Sequence, residues 1–274
     1  MIHYTDALSR LIADIVARVE PLSFIDAEKV LVFARFGRSG TAGAYATCHS
    51  LNLPTSEPGY YYWRDRRTGR LTRRSEWFVT RTPEVWIGKR RLDYLLSFVV
   101  PRFCDQTLEG TRKAAYYDGF EPWVAKLDTV VHELYHIAPG ETGLRRLDRA
   151  GGGATGRCHT PEFFDQVARF VRLYLDSRPD PALTDFLRHD FAGLVRRYGG
   201  VIGTTFRNFP SYPQRYREPL GPEPRTAGVA IVPIRPSRQP RRYTERDLVP
   251  RLFTADGARR LLPGRLPRRA STAA

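Results

Sequence analysis

Apolar residues recur with helical spacing close to the N-terminus of the chain. In residues 5–19 these positions fall on one face, as expected of an amphipathic helix that packs against a core. They are Leu8, Leu11, Ile12, Ile15, Val16 and Val19. Thr5 is a typical N-cap residue for this helix. Apolar stretches at 30–36 and 44–53, with the glycine-containing turn 37–43 between them, predict two β-strands.

The next segments predict a hairpin and a further strand. Residues 60–64 and 76–80 have the pattern of two hairpin arms. The tip between them, residues 66–74, is basic, and we expect a solvated loop there rather than a contact with an acidic partner or nucleic acid. Residues 94–103 are rich in apolar side chains but alternate poorly, and they predict a strand immediately before the next helix.

Residues 123–138 are apolar on nearly every side, which is typical of a helix buried in the core. The apolar positions are Trp123, Val124, Leu127, Val130, Val131, Leu134, Tyr135 and Ile137. Pro122 suits the first turn of such a helix, and Pro139 followed by Gly140 ends it.

Two further helices are predicted. The first starts at Thr160, with Pro161 in its first turn, and its apolar stripe faces the core. The stripe consists of Phe163, Val167, Phe170, Val171 and Tyr174. Residues 180–198 predict the second helix, which Asp180 caps and the glycine pair after Tyr198 closes.

The composition agrees with a globular domain followed by a segment of different composition. The chain has 274 residues and is 42% hydrophobic, which suffices for a sizeable core. Strands followed by helices predict an α+β fold, with a mostly antiparallel sheet packed on the helix at residues 123–138. We expect this domain to occupy residues 1–204.

Residues 205–274 differ in composition from the rest of the chain. Eleven of the twenty-one prolines lie beyond residue 200, and residues 201–274 hold fifteen arginines against five acids. We therefore expect a partly disordered, basic tail with short docking elements such as residues 229–234 and 248–262.

The formal net charge of +15 would attract phosphate backbones without sequence recognition. Only four of the positive residues are lysines, so arginine supplies nearly all of this charge. Contact with DNA or RNA through the tail is one interpretation, and a tail that only solubilises the protein is the other.

The sequence also predicts a compartment. No apolar run is long enough to cross a bilayer, and residues 1–18 carry acids and lack the apolar core of a signal peptide. Cys48, Cys104 and Cys158 are odd in number and scattered, which fits reduced thiols better than a disulfide framework. We expect a cytoplasmic protein without a membrane partner.

Three residues of the buried helix are candidates for chemistry. His132 and His136 are four residues apart, so both imidazoles lie on one helix face and can bind a single metal ion. Glu133 is placed to accept a proton from water, the arrangement with which zinc makes hydroxide available near neutral pH. Burial without partners would be costly, so a metal is favoured over two hydrogen-bonded core histidines.

A third ligand is expected beyond this helix. His159 is favoured because it stands at a predicted helix entrance, which is a fixed position. Glu162 is its competitor, but Gln166 occupies the position four residues later where an aspartate often accompanies such a glutamate, and Asp165 comes one place early. Cys158, beside His159, is another alternative.

These residues resemble a known family. His132-Glu133-x-x-His136 followed by His159-Thr160-Pro161-Glu162-Phe163 is similar to the SprT-like metallopeptidases. Gly40-Thr41-Ala42-Gly43-Ala44-Tyr45 and Ser50-Leu51-Asn52-Leu53-Pro54 are similar to that family's Thr-Ala-Gly turn and the strand after it. The resemblance covers roughly residues 25–180. It implies a small zincin-like domain, a zinc ion, peptide-bond hydrolysis and, for some members, action on proteins fixed to DNA.

The chain departs from that family in one respect and contains one misleading motif. SprT-like proteins often carry a cysteine-rich zinc ribbon afterwards, whereas no cysteine follows Cys158. Residues 151–156 satisfy G-x-G-x-x-G, but no strand leads into them and no helix follows directly, which excludes a dinucleotide site. A phosphate loop is excluded because Arg157 stands where lysine is required. The long interval 139–158 is either a mobile flap over the site or a disordered insertion.

Several side chains are candidate donors to a reaction intermediate. They are Tyr116, Tyr117, Tyr135, Arg157 and His189. Nothing in their spacing selects one of them, and each residue type more often serves packing or the surface.

Together these features predict a zinc-dependent endopeptidase that acts on protein or peptide substrates. His132, His136 and His159 hold the zinc ion with one coordination position open, and Glu133 is the general base that later passes its proton to the leaving amine. In zincins the strand nearest the metal often binds substrate as an added strand, and residues 94–103 are a candidate for that strand. The alternative is a nucleic-acid-binding protein in which the same domain is a catalytically inactive, metal-stabilised scaffold.

Overall fold

The computed structural model describes residues 1–52, 79–80, 84–139, 143–145, 159–207, 215–216 and 242–261. Its helices are α1 (Tyr4–Arg18), α2 (Val124–Tyr135), α3 (Pro161–Asp176), α4 (Pro181–Thr184) and α5 (Phe191–Tyr198). Its strands are β1 (Ile2–His3), β2 (Val30–Gly37), β3 (Ala46–Ser50), β4 (Val79–Thr80), β5 (Val85–Ile87), β6 (Arg90–Arg91), β7 (Tyr94–Pro101), β8 (Val201–Phe206), β9 (Arg215–Tyr216), β10 (Tyr243–Thr244), β11 (Leu248–Thr254) and β12 (Gly257–Arg260). The fold is of the mixed α+β class, as predicted. Five of the eight described strand pairings are antiparallel.

Strand β7 lies in the centre of the first sheet, whose order is β2-β7-β3. β2 runs parallel to it, with Val30 opposite Tyr94, and β3 runs antiparallel, with Ala46 opposite Phe98. All eight residues of β7 are buried, because helices cover one face of the sheet and a second apolar cluster covers the other. Burial on both faces explains why residues 94–103 do not alternate between apolar and polar positions.

The central position of β7 contradicts its predicted role as the strand that binds substrate. Both of its edges are already hydrogen-bonded, one to β2 and one to β3, so it has no free edge for an added strand. Within the described ranges, β3 is the strand of this sheet that packs beside α2 and whose outer edge is not paired with another strand.

The second sheet has the order β1-β8-β11-β12. β11 runs antiparallel to β8, with Phe253 opposite Val201, and both of these side chains are buried in the main core. The boundary predicted between residues 204 and 205 therefore falls inside β8, and residues 243–260 belong to the same fold as the preceding domain. The proline and arginine content concealed these strands, because in a strand covered on one side only alternate residues need to be apolar.

Helix α1 buries its predicted apolar face but begins differently at its N-terminus. Tyr4 is its first residue, and His3 occupies the N-cap position without a side-chain capping bond. Thr5, the predicted cap, lies buried inside the first turn, and its Oγ1 accepts a hydrogen bond of 3.0 Å from the backbone N–H of Thr204. The hydroxyl thus ties α1 to β8 instead of capping the helix.

The helix predicted at residues 180–198 is interrupted. α4 is followed by a 3₁₀ turn at Asp185–Arg188 before α5 begins. Asp180 caps α4 and Gly199 closes α5, as predicted. Asp190 causes the interruption, because its side chain caps a new helix start by accepting a hydrogen bond of 2.6 Å from a backbone N–H of the first turn.

Lys126 of α2 holds this interruption in place. Its side chain is buried, and its Nζ donates to the carbonyls of Leu187, at 2.8 Å, and His189, at 2.7 Å. We expect Lys126→Met to lower the free energy of unfolding by about 2–4 kcal/mol, because the buried carbonyl of Leu187 and the partly buried carbonyl of His189 lose a charged donor. Denaturant titration measures the change. Lys89→Met, at an exposed lysine, is the control and should stay within about 0.5 kcal/mol. An equally small effect of Lys126→Met would contradict the prediction.

Some predicted elements lie outside the described residues. These are the first hairpin arm at 60–64, the basic tip at 66–74 and the apolar segment at 229–234. From the second arm, Val79–Thr80 is described, and it pairs with Arg215–Tyr216. In the ranges that the structure describes, no helix has both the length and the apolar character needed to traverse a bilayer.

Candidate metal centre

Helix α2 brings two of the candidate ligands onto one face. It is buried on nearly every side, as its sequence predicts. The helix ends at Tyr135, but His136 keeps right-handed helical dihedral angles, and its N–H donates to the carbonyl of His132 at 3.3 Å. The imidazoles of His132 and His136 therefore lie one turn apart on the same side.

Helix α3 fixes the position of the third candidate. Pro161 is its first residue, and the Thr160 side chain accepts a hydrogen bond of 3.3 Å from the N–H of Phe163, so the helix starts as predicted. The whole predicted apolar stripe is buried. Since α3 packs against α2 along this stripe, His159, immediately before the cap, is carried to the two histidines of α2.

The three imidazoles converge on one point. The Nε2 atoms of His132 and His159 are 3.1 Å apart, those of His136 and His132 are 3.2 Å apart, and those of His159 and His136 are 3.1 Å apart. A neutral ring nitrogen is either a donor or an acceptor in one in-plane direction, so three mutual contacts cannot all be hydrogen bonds. Three nitrogens held about 2.0–2.1 Å from a tetrahedral zinc ion would be about 3.3 Å apart. The donor set therefore fits a zinc ion.

The electrostatic surroundings keep these imidazoles neutral, as metal ligands must be. Burial, followed by the neighbouring histidines and nearby cations, lowers the pKa of His132 to about 2. Burial and the adjacent His159 lower the pKa of His136 to about 4. The pKa of His159 is also lowered, by burial and by Arg112. All three rings consequently have lone pairs free for a cation at neutral pH.

An aromatic pair supports the cluster. The ring centroid of Phe163 lies 4.9 Å from that of His132, 4.9 Å from that of His136 and 5.2 Å from that of His159. Phe164 stacks on His159, with centroids 5.7 Å apart and an interplanar angle of 27°. The sequence pattern predicts Phe163 only as a core residue and gives no role to Phe164. Their position directly after the His-Thr-Pro-Glu start of α3 is the sequence signal that could have indicated this role.

Glu133 lies beside the cluster and is 6% exposed. Burial raises the pKa of its carboxyl group to about 7, although a hydrogen bond from the backbone N–H of Cys48 and the charges of Lys113 and Arg35 act in the opposite direction. A carboxyl group with a pKa near neutrality can both accept and release a proton at physiological pH.

The hydrogen bond from Cys48 also shows which edge of β3 faces the site. Tyr45 and Leu51 make their backbone hydrogen bonds toward β7, at 2.9 and 2.7 Å. Cys48 alternates with them, so its N–H points to the opposite edge, where it meets Glu133. The outer edge of β3 therefore runs past the candidate general base.

Glu162, the described competitor of His159, is not part of the cluster. Among the described residues, the histidine, cysteine and acidic side chains that come together in a group able to hold a metal ion are His132, His136 and His159. Glu162 is exposed, and its own backbone N–H and the Thr160 hydroxyl lower its pKa, so its carboxylate serves the N-terminus of α3. Cys158 lies outside the described residues.

The candidate donors to a reaction intermediate have other contacts. The Tyr117 hydroxyl donates to Asp128 at 2.6 Å, and the Tyr116 hydroxyl donates to Asp165 at 2.9 Å. Tyr135 packs its ring on Phe163 and Phe170.

The remaining two candidates are His189 and Arg157. His189 lies beside Tyr198, and its carbonyl accepts the hydrogen bond from Lys126. Arg157 and the glycine-rich residues 151–156 are outside the described residues, as is most of the interval 139–158. Comparisons of this chain with protein-family models, with curated proteins and with solved structures return no match.

Proposed function

We propose that this protein is a zinc-dependent endopeptidase of the SprT-like kind, with a zincin-like catalytic domain. One observation carries the proposal: three imidazole Nε2 atoms lie 3.1–3.2 Å from one another, and the buried carboxyl group of Glu133 on α2 lies beside them. Three histidines with one open coordination position are typical of catalytic rather than structural zinc sites, which usually have four protein ligands.

The residues have distinct roles in this proposal. His132, His136 and His159 hold the metal. A zinc ion bound there would polarise the peptide carbonyl and lower the pKa of water. Glu133 accepts a proton from the attacking water at its carboxylate and then delivers it to the nitrogen of the leaving amine. Its raised pKa of about 7 suits both steps.

The substrate would bind along β3 rather than β7. A peptide that adds to the outer edge of β3 would hydrogen-bond to the backbone of this strand, which discriminates little between side chains. It would also pass Glu133, because the Cys48 N–H at this edge meets that carboxyl group. We therefore propose a protein or extended peptide as the substrate.

Zinc analysis combined with digestion of a broad protein panel tests the proposal. We expect about one equivalent of zinc and cleavage that a chelator abolishes and added zinc restores. Running the panel with and without DNA shows whether DNA is needed for activity. Protein that stays metal-free after incubation with zinc would refute the proposed site.

Contact with nucleic acid is proposed as an accompanying property, supported by the net charge of +15. Deleting all of residues 205–274 is not a clean test, because it removes β11 and the core residue Phe253. Ending the chain after Leu261 spares the strands and removes three arginines: Arg265, Arg268 and Arg269.

We expect this truncation to weaken binding of a labelled oligonucleotide, measured by fluorescence anisotropy. The slope of the logarithm of the binding constant against the logarithm of the salt concentration should fall in magnitude by about one unit for each arginine–phosphate interaction that the truncation removes. Unchanged affinity and slope would contradict a role for residues 262–274. Abolished binding, together with no cleavage by the intact zinc-loaded protein, would favour the inactive-scaffold alternative.

A further inference from the structure

A short segment between β7 and α2 contacts both helices that carry the candidate ligands. This bridging segment, residues 112–117, begins with the 3₁₀ turn Arg112–Ala115. On α2, the Nζ of Lys113 bonds Asp128 Oδ1 at 2.7 Å, the carbonyl of Ala125 at 2.8 Å and Thr129 Oγ1 at 2.5 Å. These contacts are largely buried and belong to the core beneath the site.

The other side of the bridging segment contacts α3. The Tyr116 hydroxyl donates to Asp165 Oδ1 at 2.9 Å, and the guanidinium of Arg172 donates to the carbonyl of Tyr116 at 2.7 Å. The guanidinium carbon of Arg112 lies 3.2 Å from the centroid of the Phe164 ring, a cation–π contact. Phe164 in turn stacks on His159.

The location of these contacts matters because the position of His159 depends on α3 more than the positions of His132 and His136 do. His132 and His136 are related by the geometry of a single helix turn, whereas His159 reaches them only if α3 sits correctly on α2. Two of the three contacts that the bridging segment makes with α3 fall on Phe164 and Asp165, within the first two turns after His159, and the third is with Arg172 further along the helix.

We propose that Tyr116, with Arg112, is a positioning residue for the third metal ligand. The partly buried Lys113 anchors the segment to α2, and the Tyr116–Asp165 hydrogen bond fixes the first turns of α3 to it. Together they set the distance from His159 to the other two imidazoles. This inference rests on the proposed zinc site, since it concerns how tightly that site holds its metal.

The Tyr116–Asp165 hydrogen bond can be removed without disturbing the core. Asp165 is exposed and Tyr116 is only partly buried, so Tyr116→Phe and Asp165→Asn are conservative changes at the surface. Tyr198→Phe is a matched control, because the Tyr198 hydroxyl donates to Asp185 at 3.0 Å in the same type of bond, away from the three histidines.

Zinc affinity is measured by competition with a chromophoric chelator, and the geometry of the site by the visible absorption of the cobalt(II)-substituted protein. We expect Tyr116→Phe and Asp165→Asn each to weaken zinc binding about tenfold, the low end of the range for partners that orient metal ligands, and to change the cobalt spectrum. The double variant should be no weaker than either single variant, because both remove one bond. Tyr198→Phe should match the wild type.

A His159→Ala background separates positioning from a general structural effect. There Tyr116→Phe should have no further effect on metal affinity, since the ligand that it positions is absent. The same tenfold loss in that background, or unchanged affinity and spectra in both single variants, would overturn the inference. A wild-type protein that binds no zinc would instead refute the proposed function itself.

Discussion

Replacement of Glu133 by glutamine is expected to reduce kcat/KM for peptide hydrolysis by about 10²–10⁴-fold, the range for loss of a general acid–base group. The variant should still bind zinc. Glutamine has nearly the same shape, and its amide oxygen can still accept the hydrogen bond from the Cys48 N–H. What it cannot do is take up a proton, so the loss should fall on catalysis and not on the fold.

The measurement is the hydrolysis of a quenched peptide derived from a protein that the wild type cleaves, with zinc content determined on the same samples. Glu162→Gln is the matched control, because it makes the same change at an exposed glutamate three residues after His159. Undiminished hydrolysis by Glu133→Gln would rule out Glu133 as the general base. Loss of zinc from that variant would point to a structural role instead.

Replacement of His159 by alanine is expected to have an equally large effect, but on the metal. The variant retains two imidazoles one helix turn apart, and it loses the only one of the three that α2 does not supply. We expect zinc affinity to fall by more than the ~10–100-fold that loss of a partner orienting a ligand costs. Peptide hydrolysis should be lost as well.

Thermal unfolding provides a second measurement of the same loss. Zinc at 100 times its Kd adds about 2.7 kcal/mol to the stability of a protein that binds it only when folded. A chelator should therefore lower the Tm of the wild type and have little effect on the Tm of His159→Ala. His189→Ala, at a histidine outside the cluster, should behave as the wild type does. Tight zinc binding by His159→Ala together with its loss from Glu162→Gln would make Glu162 the third ligand.

Local rules accounted for much of the site. The shared face of His132 and His136 follows from the repeat of an α-helix, and the burial of α2 follows from its apolar composition. The start of α3 at Pro161 follows from the capping preference of Thr160. Each of these three features depends on residues within a few positions of one another, so a short stretch of the sequence is enough to predict it.

Non-local contacts contribute to the features that were predicted incorrectly. The helix at residues 180–198 is interrupted where Asp190 caps a new helix start, and Lys126, more than sixty positions away, holds the interruption by binding the carbonyls of Leu187 and His189. The tail boundary was misplaced because β11 finds its partner in β8, across residues with the composition of a linker.

The sequence by itself identified which residues are candidates for holding a metal and for moving a proton, because ligand type and helical spacing are local properties. The tertiary structure decided which candidates meet. It brings His159 to His136 across a separation of 23 residues and leaves Glu162 outside the cluster. It also puts β3 rather than β7 at the edge beside Glu133. Strand order and helix packing are set by the free energy of burying the whole core. No short segment of the sequence determines that free energy.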